Sequence, residues 1–177
     1  MSVLHPPPNS IAYDELEFVK LGQQDLTSFD CTENGNDEHG LQTFIQTEAQ
    51  SFQNSNLGVT YLVSYDGKIV AFLTVAMAGI SVSRIRAEEK MEGVEIKNYP
   101  ALLLGRLAVD KGFWNKDVGS YVCRWCLGLA RRLSQEVGCR CLALHAHHTV
   151  ISFYTKNGFV VSEAETGPTR LLYRKIA

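Results

Sequence analysis

The sequence predicts an α/β (α+β) chain, a mixed central sheet of six to seven strands flanked by helices. Three observations carry this. Two β-rich runs meet at Asp66-Gly67, a near-continuous apolar run (101–109) leads towards a long amphipathic stretch, and a second apolar run (139–146) follows that stretch at once. Antiparallel hairpins first and a β-α-β crossover later, in the order β-α-β-β-β-α-β-α-β, require a sheet with both pairing senses.

The elements follow in chain order. Residues 1–15 open with MSVLHPPPNS, whose prolines make a stiff lead-in rather than a secretory signal, because no basic n-region or apolar h-region is present. Residues 16–177 form the single domain. LEFVKL (16–21) is a short first strand. From Asn36 to Phe52, Leu41, Phe44, Ile45, Ala49 and Phe52 recur at helical spacing. VTYLVSY and KIVAFLTVAMA around Asp-Gly read as a hairpin. Residues 84–98 form a loop or short exposed helix. ALLLGRLAV (101–109) is a buried strand. A helix runs from Gly119 to Val137, with Val122, Cys126, Leu129, Ala130, Leu133 and Val137 on one face, and Gly138 ends it. CRCLALHA (139–146) is a strand, and 148–157 a short helix with Gly158 at C′. VVSEAE and RLLYRKI close the sheet.

Composition narrows the function. A length of 177 residues, 45% hydrophobic and 20% charged, suits one globular domain. A net charge of -2 and a pI near 6.2 exclude bulk attraction to nucleic acid or anionic membrane, leaving only local patches. No apolar run reaches the roughly eighteen residues needed to span a bilayer. Five cysteines, an odd number, read as reduced thiols in a cytoplasmic protein. Cys123-x-x-Cys126 and Cys139-x-Cys141 lack zinc-ribbon spacing and read as buried small hydrophobes, so no metal is expected. Arg124, Arg131 and Arg132 form either a basic ridge for RNA or a solvated face.

The chemistry concentrates in a strand–turn–helix: LLLGRLAVD, KGFWNKDV, GSYVCRWCLGLARRL. Unpaired N–H groups at a helix N-terminus, and successive turn amides forming a nest, attract phosphate. A plain β-α connection reads the same way and needs no ligand. However, GRLAVDKGFWNKDVGSYV resembles motif A of the GNAT acetyltransferases, and ISFYTKNGF resembles their motif B. The resemblance implies the GNAT fold, acetyl-CoA as cofactor, and acetyl transfer to a primary amine. The family turn runs Gln/Arg-x-x-Gly-x-Gly/Ala, and its amides hold the pyrophosphate. Here that turn is Trp114, Asn115, Lys116, Asp117, Val118 and Gly119, followed by Ser120. The strand before it, through Leu107, Ala108 and Val109, is implied to hold the pantetheine arm. His147, where the family often has asparagine, contacts the arm or faces water. Gly119 aligns with the last glycine, which puts Asp117 on the first and Trp114 on the Gln/Arg. An aspartate there lacks glycine's free access to positive φ. Its charge also repels a diphosphate, by about 1 kcal/mol at ~4 Å in water and several times that if partly buried.

Motif B implies a catalytic role for Tyr154, protonating the departing thiolate. A phenol of pKa about 10 and a thiol of about 8.5 leave that transfer uphill by about 1.5 units. Phe153 is expected in the core, leaving Tyr154 to the cleft. His145 and His147 are the nearest candidate bases, and an α-amine of pKa near 8 needs none beyond water. Small residues Thr74, Ala76 and Ala78 are expected along the acceptor side.

LGQQDLTSFDCTENGNDEHGLQTFI, LGVTYLVSYDGKIVAFLTVA, GRLAVDK and Phe-Tyr-x-x-x-Gly-Phe are similar to the GNAT enzymes related to aminoacyl-tRNA-acetylating toxins. The acceptor so implied is a small-molecule or protein amine, or charged tRNA. A homodimer is consistent with that likeness, and no membrane is involved. The altered turn leaves one alternative: a GNAT-like module with weakened or lost CoA binding.

Overall fold

Asp66 and Gly67 both adopt positive φ, 47° and 72°, as a two-residue hairpin of the I′ type requires. They join β2 (Val59–Tyr65) to β3 (Lys68–Ser81). Their antiparallel register runs from Tyr65↔Lys68 to Val59↔Val75, with a bulge at Val63/Ser64. The computed structural model describes residues 10–163 and 167–176. Its sheet has seven strands in the order β1-β2-β3-β4-β5-β7-β6. The remaining strands are β1 (Glu17–Lys20), β4 (Asn98–Val109), β5 (Cys141–His147), β6 (Val160–Val161) and β7 (Thr169–Lys175). β4 and β5 are parallel, while β1/β2, β5/β7 and β6/β7 are antiparallel. The sheet is therefore mixed, as expected.

Two compact units are distinguished. One comprises the described residues up to Val75 with Arg106–Val122; the other comprises Ala76–Gly105 with the described residues from Cys123.

In the first unit, the helical stretch begins at Leu41, five residues later than its apolar spacing suggests. Asp37 fixes that start by accepting Gln42 N–H at 3.0 Å and Thr43 N–H at 2.9 Å, and Gly40 precedes the helix at φ 66°. The helix runs through α1 (Leu41–Thr43), a π-helical turn (Phe44–Glu48) and α2 (Ala49–Asn54). It buries Phe44, Ile45 and Ala49 against Leu21, Phe29, Leu62, Phe72 and Ala108. Residues 10–15, read as lead-in, include buried Ile11, whose N–H donates to Lys116 C=O at 3.4 Å. Thr74 does not line an opening: it is buried, with its hydroxyl 2.9 Å from that of Thr60.

The second unit packs Ile80, Ile85, Tyr99, Ala101, Cys141, Ala143, Leu171 and Tyr173. Two tyrosine hydroxyls hold the segment after β3. Tyr99 Oη accepts Met91 N–H at 2.8 Å; Tyr173 Oη accepts Arg86 N–H at 3.1 Å and donates to the Glu89 carboxylate. Strand β6 stops at Val161; of the longer VVSEAE strand expected, Ala164 and Glu165 lie outside the described residues.

The helix α3 (Val118–Glu136) starts and ends one residue earlier than expected. Its buried face carries Val118, Val122, Cys126 and Ala130, whereas Val137 is past the end and 65% exposed. Gly138, at φ 70°, terminates it as the sequence indicates.

Candidate active site

The turn between β4 and α3 is built from the chain's own constraints. Asp110 opens it: its N–H donates to Val70 C=O at 2.8 Å, and its carboxylate accepts Gly112 N–H at 2.8 Å and Asp30 N–H at 2.9 Å. Trp114 then turns its indole back, donating from Nε1 to Val109 C=O at 2.9 Å. Asn115 and Asp117 follow at φ 60° and 62°, with Lys116 between them outside that region. Asp117 C=O accepts Tyr121 N–H at 3.0 Å and so begins the helix.

Asn115 and Asp117 supply two left-handed residues, and where such residues alternate with right-handed ones successive N–H groups turn towards one side as an anion nest. Asp117 thus adopts the backbone conformation that glycine reaches freely. Aspartate and asparagine tolerate it better than other L residues, and these are the residue types at both positions. Gly119 is the second helical residue rather than the helix start. Val118 and Ala108 are buried, so their contribution to a ligand is limited to main chain. Leu107, Val109, Lys116 and Ser120 are half-buried, and the Lys116 ammonium lies 4.9 Å from the Phe113 ring centre.

One support has no signature in the sequence. The Phe29-Asp30-Cys31 segment binds the turn's first residues: Asp30 C=O accepts Lys111 N–H at 2.8 Å, and its carboxylate pairs with the Lys111 ammonium. That hydrogen bond, with those from Thr32, holds the Asp30 carboxyl at about 2. Gln42 completes the brace, donating to Phe29 C=O at 2.8 Å and accepting Cys31 N–H at 2.9 Å. In the same unit, Trp114 borders a cavity of about 370 Å³ lined also by Glu33, Asp37, Glu38 and His39.

In the second unit, the ladder between β4 and β5 covers Ala101↔Cys141 to Leu103↔Ala143 among the described residues, while β5 runs on to His147. His145 is exposed and opposite Leu171; His147 is half-buried and opposite Thr169. Tyr154 sits on α4 (Ile151–Lys156). Its ring meets Phe153 and Phe159 edge-on, with centres 5.0 and 5.7 Å away. Phe159 is the buried partner; Phe153, expected in the core, is half-buried. The end of α4 is closed by Asn157 Nδ2 donating to Phe153 C=O at 2.9 Å and by Arg174 Nη1 donating to Asn157 C=O at 2.8 Å. Burial first, and then the neighbouring Cys123 and Cys126 where they ionise, push the Tyr154 phenol well above its ordinary value. It therefore holds its proton throughout the neutral range, but gives it up less readily than the free phenol.

Burial likewise raises all five thiols, to about 11 for Cys31 and Cys141 and about 12 for Cys123. They are protonated small hydrophobes rather than nucleophiles. Arg124, Arg131 and Arg132 are exposed on α3. Among the described residues no helix is long and apolar enough to cross a membrane.

A family model described as an acetyltransferase (GNAT) domain matches residues 56–161. The chain belongs to the GNAT acetyltransferases. This GNAT chain is 27% identical over 149 residues to a tRNA-acetylating toxin of Mycobacterium tuberculosis (strain ATCC 25618 / H37Rv), covering 84% of each chain. Its fold is shared with AtaT complexed with acetyl-methionyl-tRNAfMet (TM-score 0.79, 20% identity, 90% of this chain and 94% of that one). It is shared too with a Tyr-to-Phe mutant of KacT (TM-score 0.80, 20% identity, 92% and 95%). The third such structure is AtaTR bound with AcCoA (TM-score 0.73, 21% identity, 92% and 95%). The GNAT fold expected from motifs A and B is thereby established.

Proposed function

We propose that this GNAT acetyltransferase moves an acetyl group from acetyl-CoA directly to a primary amine, with the 114–120 turn holding the pyrophosphate. One observation carries the reading: Asn115 and Asp117 occupy the left-handed region on either side of Lys116, directly before α3. Left-handed residues directly before a helix N-terminus support a diphosphate-holding turn, here without the family's first glycine. When bound, the thioester supplies the activated acetyl group. Leu107 and Ala108 offer main-chain groups to the pantetheine arm, and His147 is assigned to the same arm. The Val109 carbonyl is already taken up by the Trp114 indole.

Tyr154 is the general acid. Its O–H donates to the sulfur as the C–S bond breaks, and the amine's surplus proton passes to water. The raised phenol pKa keeps the donor protonated until the thiolate forms, and the tyrosinate left behind regains its proton from water. The favoured acceptor is the α-amine of an aminoacyl-tRNA, supported by the curated relative that acetylates tRNA. The cavity beside Trp114, lined by Glu33, Asp37 and Glu38, favours a second reading: a small cationic amine. A cytoplasmic setting and a homodimeric assembly are proposed with this reading.

Calorimetry with acetyl-CoA tests the first claim, and no heat at millimolar ligand would end it. Replacing Tyr154 by Phe should lower kcat by ~100-fold or more while leaving acetyl-CoA affinity within about twofold. Unchanged turnover would remove Tyr154 from the mechanism. Radiolabelled acetyl transfer to charged tRNA, set against polyamines and lysine peptides, separates the two acceptors.

A further inference from the structure

Arg106 stands on β4 two residues before Ala108, in the strand that feeds the turn. Its guanidinium carbon lies 3.7 Å from the centre of the Phe44 ring and 5.1 Å from that of Phe52. The platform is rigid: Phe44 is 2% exposed, and the Phe72 ring stacks behind it at 28°. The helix is also irregular at this spot, since the π turn begins at Phe44 itself. Such turns re-aim side chains away from regular helical positions and recur at functional sites.

Among the described residues, no carboxylate pairs with Arg106 and no carbonyl accepts from it. A guanidinium keeps its charge at all working pH values and carries five N–H donors. Arg106 is half-buried with its fork meeting no protein acceptor among the described residues, so its N–H donors are left to solvent or to a ligand. Stacking occupies its π face and leaves the planar fork for a two-oxygen acceptor.

We propose that Arg106 is a receptor for an oxyanion carried by the acceptor substrate, either an RNA phosphodiester or the carboxylate of a small molecule. That the anion belongs to the acceptor rests on the proposed acyl transfer; the anion site itself does not.

Two measurements separate the claims. The Arg106 Nε–H resonance, assigned by its loss in Arg106→Gln, is followed in the presence of excess CoA while inorganic phosphate or acetate is added at constant ionic strength. A saturable shift is expected, stronger with phosphate if the source is RNA and with acetate if it is a carboxylate. No saturable shift with either anion overturns the proposal. Kinetically, Arg106→Gln should raise KM for charged tRNA by ~10- to 100-fold with kcat preserved, as loss of a charged hydrogen-bonded contact implies. It should also reduce the salt slope by about 0.7–0.9. On 3′-aminoacyl-adenosine, which has no phosphate, the variant should match the wild type. Equal losses on both acceptors would make Arg106 a packing residue and overturn the proposal. A wild type that acetylates neither acceptor defeats the tRNA reading, and the anion titration then decides Arg106 alone.

Discussion

Asp117 offers the sharpest test of the proposed diphosphate turn, because its two departures from glycine can be separated. The first is conformational: φ 62° costs an L residue roughly 1–2 kcal/mol, less for aspartate. The second is electrostatic: a carboxylate ~4 Å from a phosphate charge costs about 1 kcal/mol in water and about 4 at an effective dielectric near 20. Asp117 is half-buried, so the cost lies between those limits. Asp117→Asn removes the charge and keeps the tolerance for positive φ. It should tighten acetyl-CoA at least ~5-fold at low salt, the equivalent of about 1 kcal/mol, with little change in stability. Asp117→Gly should bind as the asparagine variant does, since relief of strain is offset by the extra ~0.5–1 kcal/mol of chain entropy. Asp117→Ala should gain affinity too but lose about 1 kcal/mol of stability, because alanine suits that backbone poorly. Titration calorimetry at low and moderate salt reads all three. The gain should shrink as salt rises, with a Debye length of about 10 Å at 0.1 M. If Asp117→Asn binds no tighter at low salt, the carboxylate is not beside the diphosphate and the electrostatic argument fails.

Two further outcomes test the second unit. Burial and the Glu89 hydrogen bond raise the Tyr173 phenol from 10.0 to about 12. A raised pKa means the folded state holds its proton longer. The stabilisation is therefore complete below pH 10 and is lost as pH climbs through about 12. Tyr173→Phe should flatten that alkaline decline in urea-melt stability, and an unchanged slope would discount it. At Gly158, φ is 81° and an added Cβ would come within 3.1 Å of the Arg174 guanidinium carbon. Gly158→Ala should cost ~1–3 kcal/mol, or roughly 2–12 °C in Tm, and an unshifted melt would refute the closure described for α4.

The sequence by itself determined what depends on short range. The Asp66-Gly67 hairpin, the β4–α3–β5 crossover and the glycine that ends α3 are written in turn chemistry and periodicity, which act within a few residues. The strand–turn–helix that carries residues 114–120 is legible in the same way, and its proposed anion-holding role comes from the resemblance to motif A. The backbone of the turn is not, because a residue's letter does not state its φ; only the folded chain shows Asp117 in the left-handed conformation that glycine reaches freely. The helix beginning at Leu41 was misplaced for a related reason, since apolar spacing marks a face while Asp37 sets the end. Tertiary structure alone decided the contacts between distant residues: Lys111 held by Asp30 across 81 positions, Arg174 closing α4, and Arg106 laid on Phe44. No local pattern encodes such pairs, because their energy exists only after the sheet has brought the strands together. The fold was therefore readable from the chain's periodicity, whereas the supports of the candidate site had to be seen.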